Sequence, residues 1–394
     1  MTERLMKMLV VGLMDDLKGH YKEFAKRWIE ALRKIDDSLE IVGYLTSRNF
    51  KFQDFNKILS HDTFFNILFD CRREYSGNLI KLQSLFIGII RGLQTNIFLR
   101  KHKPEAVFYL AVDLLSFPLA NFILSRPKKL KMITIIHRAP NVPGIRGRLY
   151  KYSLVYVIKK NNAIVVLDPS VKDQIIKMNL NIDLTKIKVI YDPRFRDAKC
   201  EITKAIMPRA PKIFTIVGLI TPSKGVDLAI SAFATLKEEF PDIHLIIAGH
   251  INDIAYKDYL YKLRADNQNI TIYDRYLEKE NYYQHIREAD CILLPYKSSL
   301  GALYSYVLLD AISFNKPVII SDIPSFKMYH EKFGLGEIFA ADNKEDLTSI
   351  IKKTILNGFD QRQIKAIAAV KREFSIETAS ALIKRILREI ETTF

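Results

Sequence analysis

The chain has 394 residues, 48% of them hydrophobic and 26% charged. That is long enough for two domains at ~100–200 residues each, and of a composition that excludes disordered and fibrous classes. The net charge is +16, and the three cysteines, Cys71, Cys200 and Cys291, lie far apart and away from histidine clusters. They exclude a disulfide framework and a structural zinc site and fit a reducing compartment.

In chain order, the apolar run within Met1–Met14 stops at Asp15-Asp16 without a small-residue cleavage site. It reads as a first strand rather than a signal peptide. Short apolar runs then alternate with longer amphipathic stretches, the βα rhythm of a parallel sheet covered by helices. Strands are predicted at Met8–Val11, Glu40–Leu45, Ala106–Leu110, Met132–Ile136, Ala163–Leu167 and Ile187–Tyr191. Helices are predicted at Tyr21–Lys34, Leu79–Lys101, Arg146–Lys160 and Pro169–Asn179. A spanning helix needs about 20 apolar residues. The nearest run, Ala106–Leu124, is broken by Asp113 and Pro118.

From Asp192 to Pro211 the rhythm stops among prolines and mixed charges, as in a linker. It restarts with strands at Ile213–Val217, His244–Ala248, Ile270–Tyr273, Cys291–Leu294 and Val318–Ser321. Helices alternate with them at Val226–Glu239, Glu280–Ala289, Tyr304–Phe314 and Glu345–Asn357, and the tail reads as two helices broken near Phe374-Ser375, where Ser375 can cap the second. The expected layout is a Rossmann-like domain over 1–195, a linker over 196–211, a second Rossmann-like domain over 212–375 and a C-terminal helix over 376–394. Ligands of such doubly wound α/β sheets sit at the carboxyl ends of the strands.

Three features of the second half point to an anion site. The strand Ile213–Val217 ends in Gly218, followed by a loop with Lys224-Gly225 and then a helix. A helix N-terminus beside a lysine suits a phosphate, although the spacing is not that of a Walker A loop. A second strand ends in Gly249-His250. A third runs through Ala289-Asp290 to Pro295-Tyr296, and Ser305 then opens a helix carrying Asp310. Ser305 can cap that helix, leaving N–H groups for a second phosphate, and Asp310 can accept from ribose hydroxyls.

In this order and spacing, the set Gly218, Lys224-Gly225, Ala248-Gly249, Tyr276, Ala289-Asp290, Pro295-Tyr296, Ser305, Asp310-Ala311 and Lys316-Pro317 resembles the nucleotide-sugar domain of glycosyltransferase family 4. The likeness covers about 110 residues. It implies the GT-B fold, two tandem Rossmann-like domains facing a central cleft, with C-terminal helices crossing back to the first domain. It also implies retaining, metal-independent transfer of a hexosyl group from a nucleoside-diphosphate sugar, based on UDP or GDP, without a bound cofactor. Lys224 would grip the diphosphate, and Asp310 the ribose. Backbone groups at Ser305, Tyr306 and Val307 would hold phosphate, with Gly218, Gly225, Gly249, Tyr276 and Pro295 shaping the donor pocket. His137 would lie near the sugar, so His137, Lys224 and Asp310 are the expected catalytic residues.

Three positions depart from the family pattern. Leu219 stands where an arginine usually follows the first glycine, Ala302 where a glutamate often precedes the helix, and Asp310 replaces a glutamate. A subgroup lacking that first glutamate has a glycine where this chain has Tyr306.

The first half is where the charge lies. Residues 1–195 carry 33 Lys+Arg against 18 Asp+Glu, and the window 71–160 carries 17 against 3. In the GT-B arrangement this domain takes the acceptor, and Gly19, His20, Asp113, His137 and Arg138 are the acceptor-side candidates. Basic amphipathic segments at Leu79–Lys101, Pro127–Lys131 and Arg146–Tyr152 suit an anionic membrane surface. The expectation is a cytoplasmic enzyme, peripheral at the inner face of a membrane, with a phosphate-bearing lipid or lipid-linked glycan as acceptor.

Three alternatives compete. The charge alone would allow a nucleic-acid-binding protein, but no helix-turn-helix, finger or RNA-binding signature supports one. Leu219 and Ala302 would fit a catalytically inactive GT-B-like nucleotide- or glycan-binding protein. A sugar-nucleotide epimerase shares the fold but has no need of a basic acceptor half.

Overall fold

The structure, a computed structural model, describes residues 7–12, 21–35, 40–45, 57–58, 97, 99–111, 114, 130–137, 144–196, 210–300 and 305–392. The chain divides into two compact units, Met1–Arg196 together with Phe374–Phe394, and Asp197–Glu373.

The first unit is built on seven parallel strands, β1 (Lys7–Gly12), β2 (Glu40–Leu45), β3 (Lys57–Ile58), β4 (Ala106–Ala111), β5 (Lys131–Ile136), β6 (Ala163–Val166) and β7 (Ile187–Val189), in the order β3-β2-β1-β4-β5-β6-β7. The second has six parallel strands, β8 (Ile213–Val217), β9 (His244–Ala248), β10 (Ile270–Tyr273), β11 (Cys291–Leu294), β12 (Val318–Ser321) and β13 (Glu337–Phe339), in the order β10-β9-β8-β11-β12-β13. Parallel neighbours need crossover connections, and helices supply them throughout the second sheet and after β1, β5 and β6 in the first. The strand order reverses between β1 and β4 in the first sheet and between β8 and β11 in the second. Such reversals open the crevice where doubly wound sheets take ligands.

The predicted strands are all present, with ends shifted by at most two residues, and the short strands β3 and β13 are additional. Helices Ile254–Arg264 and Pro324–Phe333 were not expected either. Most of the predicted helix 79–101, and residues 197–209 of the predicted linker, lie outside the described residues.

Helix Val226–Leu236 shows how the second sheet is covered. Val226, Ala229, Ile230 and Phe233 recur at helical spacing, are buried, and pack with Phe214 and Ile216 of β8 and Leu245 and Ile247 of β9. The rings of Phe214 and Phe233 meet edge-on at 5.4 Å. Several helices start on side-chain caps. Asp168 accepts from the Ser170 N–H at 2.7 Å, Asp253 from Tyr256 at 3.0 Å and Asn343 from Asp346 at 2.9 Å. No helix among the described residues is long and apolar enough to cross a membrane.

Of the two tail helices, Gln361–Glu373 stays with the second unit and Ile376–Thr392 belongs to the first. Ser375 caps the latter, accepting from the Thr378 N–H at 3.1 Å. Phe374 stacks on Tyr191 at 4.2 Å, and its carbonyl accepts from the N–H groups of Arg194 and Phe195. The last helix runs against helix Tyr21–Arg33. It is further held by Lys34–Glu377 and by Lys188–Glu389 at 2.8 Å. Beneath this region Arg27 Nη2 meets the fully buried Asp192 Oδ2 at 2.6 Å.

Candidate functional site

In the second unit, β8 and β9 are paired in parallel with Val217 opposite Ala248, so Gly218 and Gly249 emerge side by side. The Gly218 N–H donates to the Ala248 carbonyl at 2.9 Å. A Cβ on Gly249 would fall 1.8 Å from the Gly218 carbonyl oxygen, so no larger residue fits there. Across the reversal point, Gly225 has φ +64°, and a Cβ on it would fall 1.8 Å from the carbonyl oxygen of Pro295, which follows β11. The Lys297 N–H donates to the Ser223 carbonyl at 2.9 Å. The loops after β8 and β11 are thus pressed together at the crevice that the topology opens.

Lys224 sits on a single turn, Pro222–Lys224, that closes on Gly225. Its Nζ lies 3.7 Å from where a side chain on Gly218 would begin and 5.7 Å from the centre of the Tyr296 ring. Burial pulls the ammonium down to about 8, and no carboxylate opposes that effect. Nearby Lys297, by contrast, is neutralised by Asp227 at 2.8 Å, a carboxylate that also accepts from the Tyr256 hydroxyl at 3.0 Å. Among the described residues Lys224 has no acidic partner, so its charge is left for an incoming anion.

The same hollow beside Gly218 is lined by Val307 and Tyr282, at 3.7 Å and 3.9 Å from that Cβ position. Ser305 caps helix Tyr306–Ser313 by accepting from the Leu308 N–H at 3.3 Å, and its side chain is hydrogen-bonded to the buried Tyr296 phenol. Burial pushes that phenol up to about 12. Asp310 is buried on the same helix and accepts from the Tyr282 hydroxyl at 2.8 Å. Gly218, Lys224, Gly225, Gly249, Pro295, Ser305, Val307 and Asp310 are therefore gathered in one region, with Tyr306 half-buried at the helix start. Such a place can hold a diphosphate against one ammonium, with a carboxylate for hydroxyl groups deeper in.

Other expected residues fall elsewhere. Tyr276 is 76% exposed on the loop after β10. Leu219 points outward. Ala302, Gly19, His20, Asp113 and Arg138 lie outside the described residues. In the first unit His137 follows β5, its Nε2 is 3.1 Å from the Leu110 carbonyl and its ring packs on Phe24 at 4.9 Å. A carbonyl only accepts, so Nε2 carries the proton and the tautomer is set. Among the described residues no group of three or more His, Cys, Asp or Glu could hold a metal ion.

Tyr282 is the site residue that motif reading left out. Tyr282 stands one turn before the buried Ile286 on helix Lys279–Glu288. Its place on the inward stripe, with a hydroxyl that must find a partner, is the signal that could have found it.

Residues 201–371 match the family model described as glycosyl transferases group 1. A curated relative is the phosphatidyl-myo-inositol mannosyltransferase of Mycobacterium leprae (strain TN), 22% identical over 191 residues, which are 47% of this chain and 49% of the relative. The chain thus spans about half the length of that relative. Among solved structures, a glycosyltransferase from Rickettsia africae ESF-5 superposes with a TM-score of 0.68 at 16% identity, covering 98% of this chain and 100% of its own. Anabaena HepE, in complex with UDP, gives a TM-score of 0.64 at 15% identity over 98% and 100%. At such identities the likeness shows the fold, which is that of these GT-B glycosyltransferases.

Proposed function

We propose that this protein, whose residues 201–371 match the glycosyl transferases group 1 model, transfers a hexosyl group from a nucleoside-diphosphate sugar to a lipid-linked or membrane-associated glycan, with retention and without a metal ion. The observation that carries the reading is Lys224, a desolvated ammonium with no acidic partner among the described residues, at the reversal point between β8 and β11. Its charge would be worth most in the transition state, when the sugar–phosphate bond breaks and the diphosphate leaves with added negative charge. Asp310, held by Tyr282, would accept from ribose hydroxyls, and the start of helix Tyr306–Ser313 would support a phosphate. UDP is the first nucleotide to try, since HepE holds it, and GDP the second. His137, with its tautomer fixed by Leu110, would stand on the acceptor side near the transferred sugar.

The acceptor reading draws on the first half of the chain, with its excess of cations, and on the mycobacterial relative, whose name specifies a phosphoinositide lipid. A phosphate-bearing lipid at the inner face of a membrane suits both. The test is incubation with a panel of UDP- and GDP-sugars, with and without lipid-phosphate acceptors, and detection of released nucleotide and glycosylated product. Release with one donor and product with an anionic lipid acceptor are expected. Nucleotide binding without turnover on any donor would favour an inactive binding protein, and no nucleotide binding at all would refute the reading.

A further inference from the structure

Helix Gly144–Lys160 has no acidic residue, and it buries one side in the first domain through Leu154, Val157 and Ile158. Such a helix should turn a polar face outward. This one does not. Ile145, Leu149 and Tyr152 are 77%, 53% and 76% exposed, and with the half-buried Tyr156 they recur at i, i+4, i+7 and i+11. At about 100° per residue these four fall within roughly 60° of one another, opposite the buried side. Cations border the stripe on both flanks, with Arg148, Lys151 and Lys159 along one edge and Lys160 along the other, all exposed. Lys160 Nζ also lies 5.8 Å from the centre of the Tyr156 ring.

We propose that this outward stripe is a docking surface for an anionic bilayer, the helix lying in the plane of the interface. Ile145 and Leu149 would enter the acyl boundary, Tyr152 and Tyr156 would sit at headgroup level, and the flanking cations would meet lipid phosphates. An exposed apolar line rimmed by one sign of charge has the chemistry of a monotopic helix. Charge complementarity selects the occupant. A protein groove would call for acidic partners for both cationic edges, and nucleic acid would leave Ile145 and Leu149 without a role. The proposal rests on the membrane-borne acceptor reading given above, and it adds the element that would bring the enzyme to that acceptor.

Co-sedimentation with vesicles of phosphatidylglycerol and phosphatidylcholine, against vesicles of phosphatidylcholine alone, tests it on the full chain. The wild type is expected to bind the anionic vesicles at least fivefold better. Ile145→Glu/Leu149→Glu should abolish that binding at unchanged UDP affinity, and Arg148→Ala/Lys151→Ala should weaken it severalfold. Should the glutamate variant not fold, Ile145→Ser/Leu149→Ser carries the same expectation. Equal binding to both vesicle types, or anionic binding that survives loss of Ile145 and Leu149, overturns the proposal. Binding of RNA in preference to anionic vesicles overturns it as well. Failure of UDP to bind, with vesicle binding intact, would count against the transferase reading and not against the docking surface.

Discussion

The Tyr282 hydroxyl donates to the Asp310 carboxylate across 2.8 Å and so joins helix Lys279–Glu288 to helix Tyr306–Ser313 beside Gly218. A buried carboxylate needs its donors, and a hydrogen bond to a charged group contributes about 1.5–3 kcal/mol. Tyr282→Phe is therefore expected to lower UDP affinity several-fold and to lower the unfolding temperature by a few degrees, read by calorimetric titration and thermal melts. Unchanged values in both would make the contact incidental.

Two glycines at positive φ differ in what an added methyl group would meet. Gly249→Ala drives a methyl group into the Gly218 carbonyl, 1.8 Å away, whereas Gly334, the C-cap of helix Pro324–Phe333 at φ +71°, has nothing within 4 Å of its Cβ position. Gly334→Ala should cost about 1–2 kcal/mol, from the left-handed conformation alone. Gly249→Ala should cost about 3 kcal/mol or more and should also weaken nucleotide binding, because β8 and β9 must part. Equal losses in urea unfolding would contradict the packing described for the strand ends.

The fold was largely legible because β-branched runs, glycine stops and helix caps are local signals. Ile213–Val217, His244–Ala248, Ile270–Tyr273, Cys291–Leu294 and Val318–Ser321 are strands with the bounds their sequence suggests. Ser375 caps the last helix as its position implies. The strands β3 and β13 are two and three residues long, too short for any period to register. The site was less legible because it is made by register. That Gly249 abuts Gly218, that Pro295 abuts Gly225 and that Tyr282 reaches Asp310 depend on which strands are neighbours, not on any one segment. Tyr276, chosen by motif position, stands in solvent.

In the first domain the ion pair of Arg27 with the fully buried Asp192 is expected to matter far more than surface pairs such as Lys34–Glu377. Arg27→Met leaves a buried carboxylate without its counter-charge and should cost about 3–5 kcal/mol, whereas the double change Arg27→Met/Asp192→Leu should recover much of it. Denaturant unfolding of the four proteins of that cycle measures the coupling. A coupling near zero would mean the pair is solvated in solution.

Lys224 should give the protein two opposed pH dependences. Its ammonium titrates at about 8 when folded and near its ordinary 10.5 when unfolded, because burial alone lowers it. Between those values the unfolded chain holds the extra proton, so the ligand-free protein gains stability as pH rises from about 8 to 10.5, on the order of 3 kcal/mol in all. Nucleotide affinity runs the other way. It is full below about pH 8 and falls above it, by at most roughly tenfold per pH unit, as the ammonium is lost. Titrations near pH 8.5 in buffers of different ionisation enthalpy should show proton uptake on binding. A flat affinity from pH 7 to 9.5 would remove Lys224 from the site.

The most direct measurement is calorimetric titration of UDP and GDP into the wild type and Lys224→Met at pH 7, with thermal melts of both proteins. The expected result is one site per chain in the wild type for at least one of the two nucleotides. In Lys224→Met, affinity should drop at least thirtyfold while the ligand-free melting temperature stays the same or rises, because the substitution removes a desolvated charge. Equal affinity in the two proteins, or no binding of either nucleotide to the wild type, would contradict the assignment of this crevice as a nucleotide-sugar site.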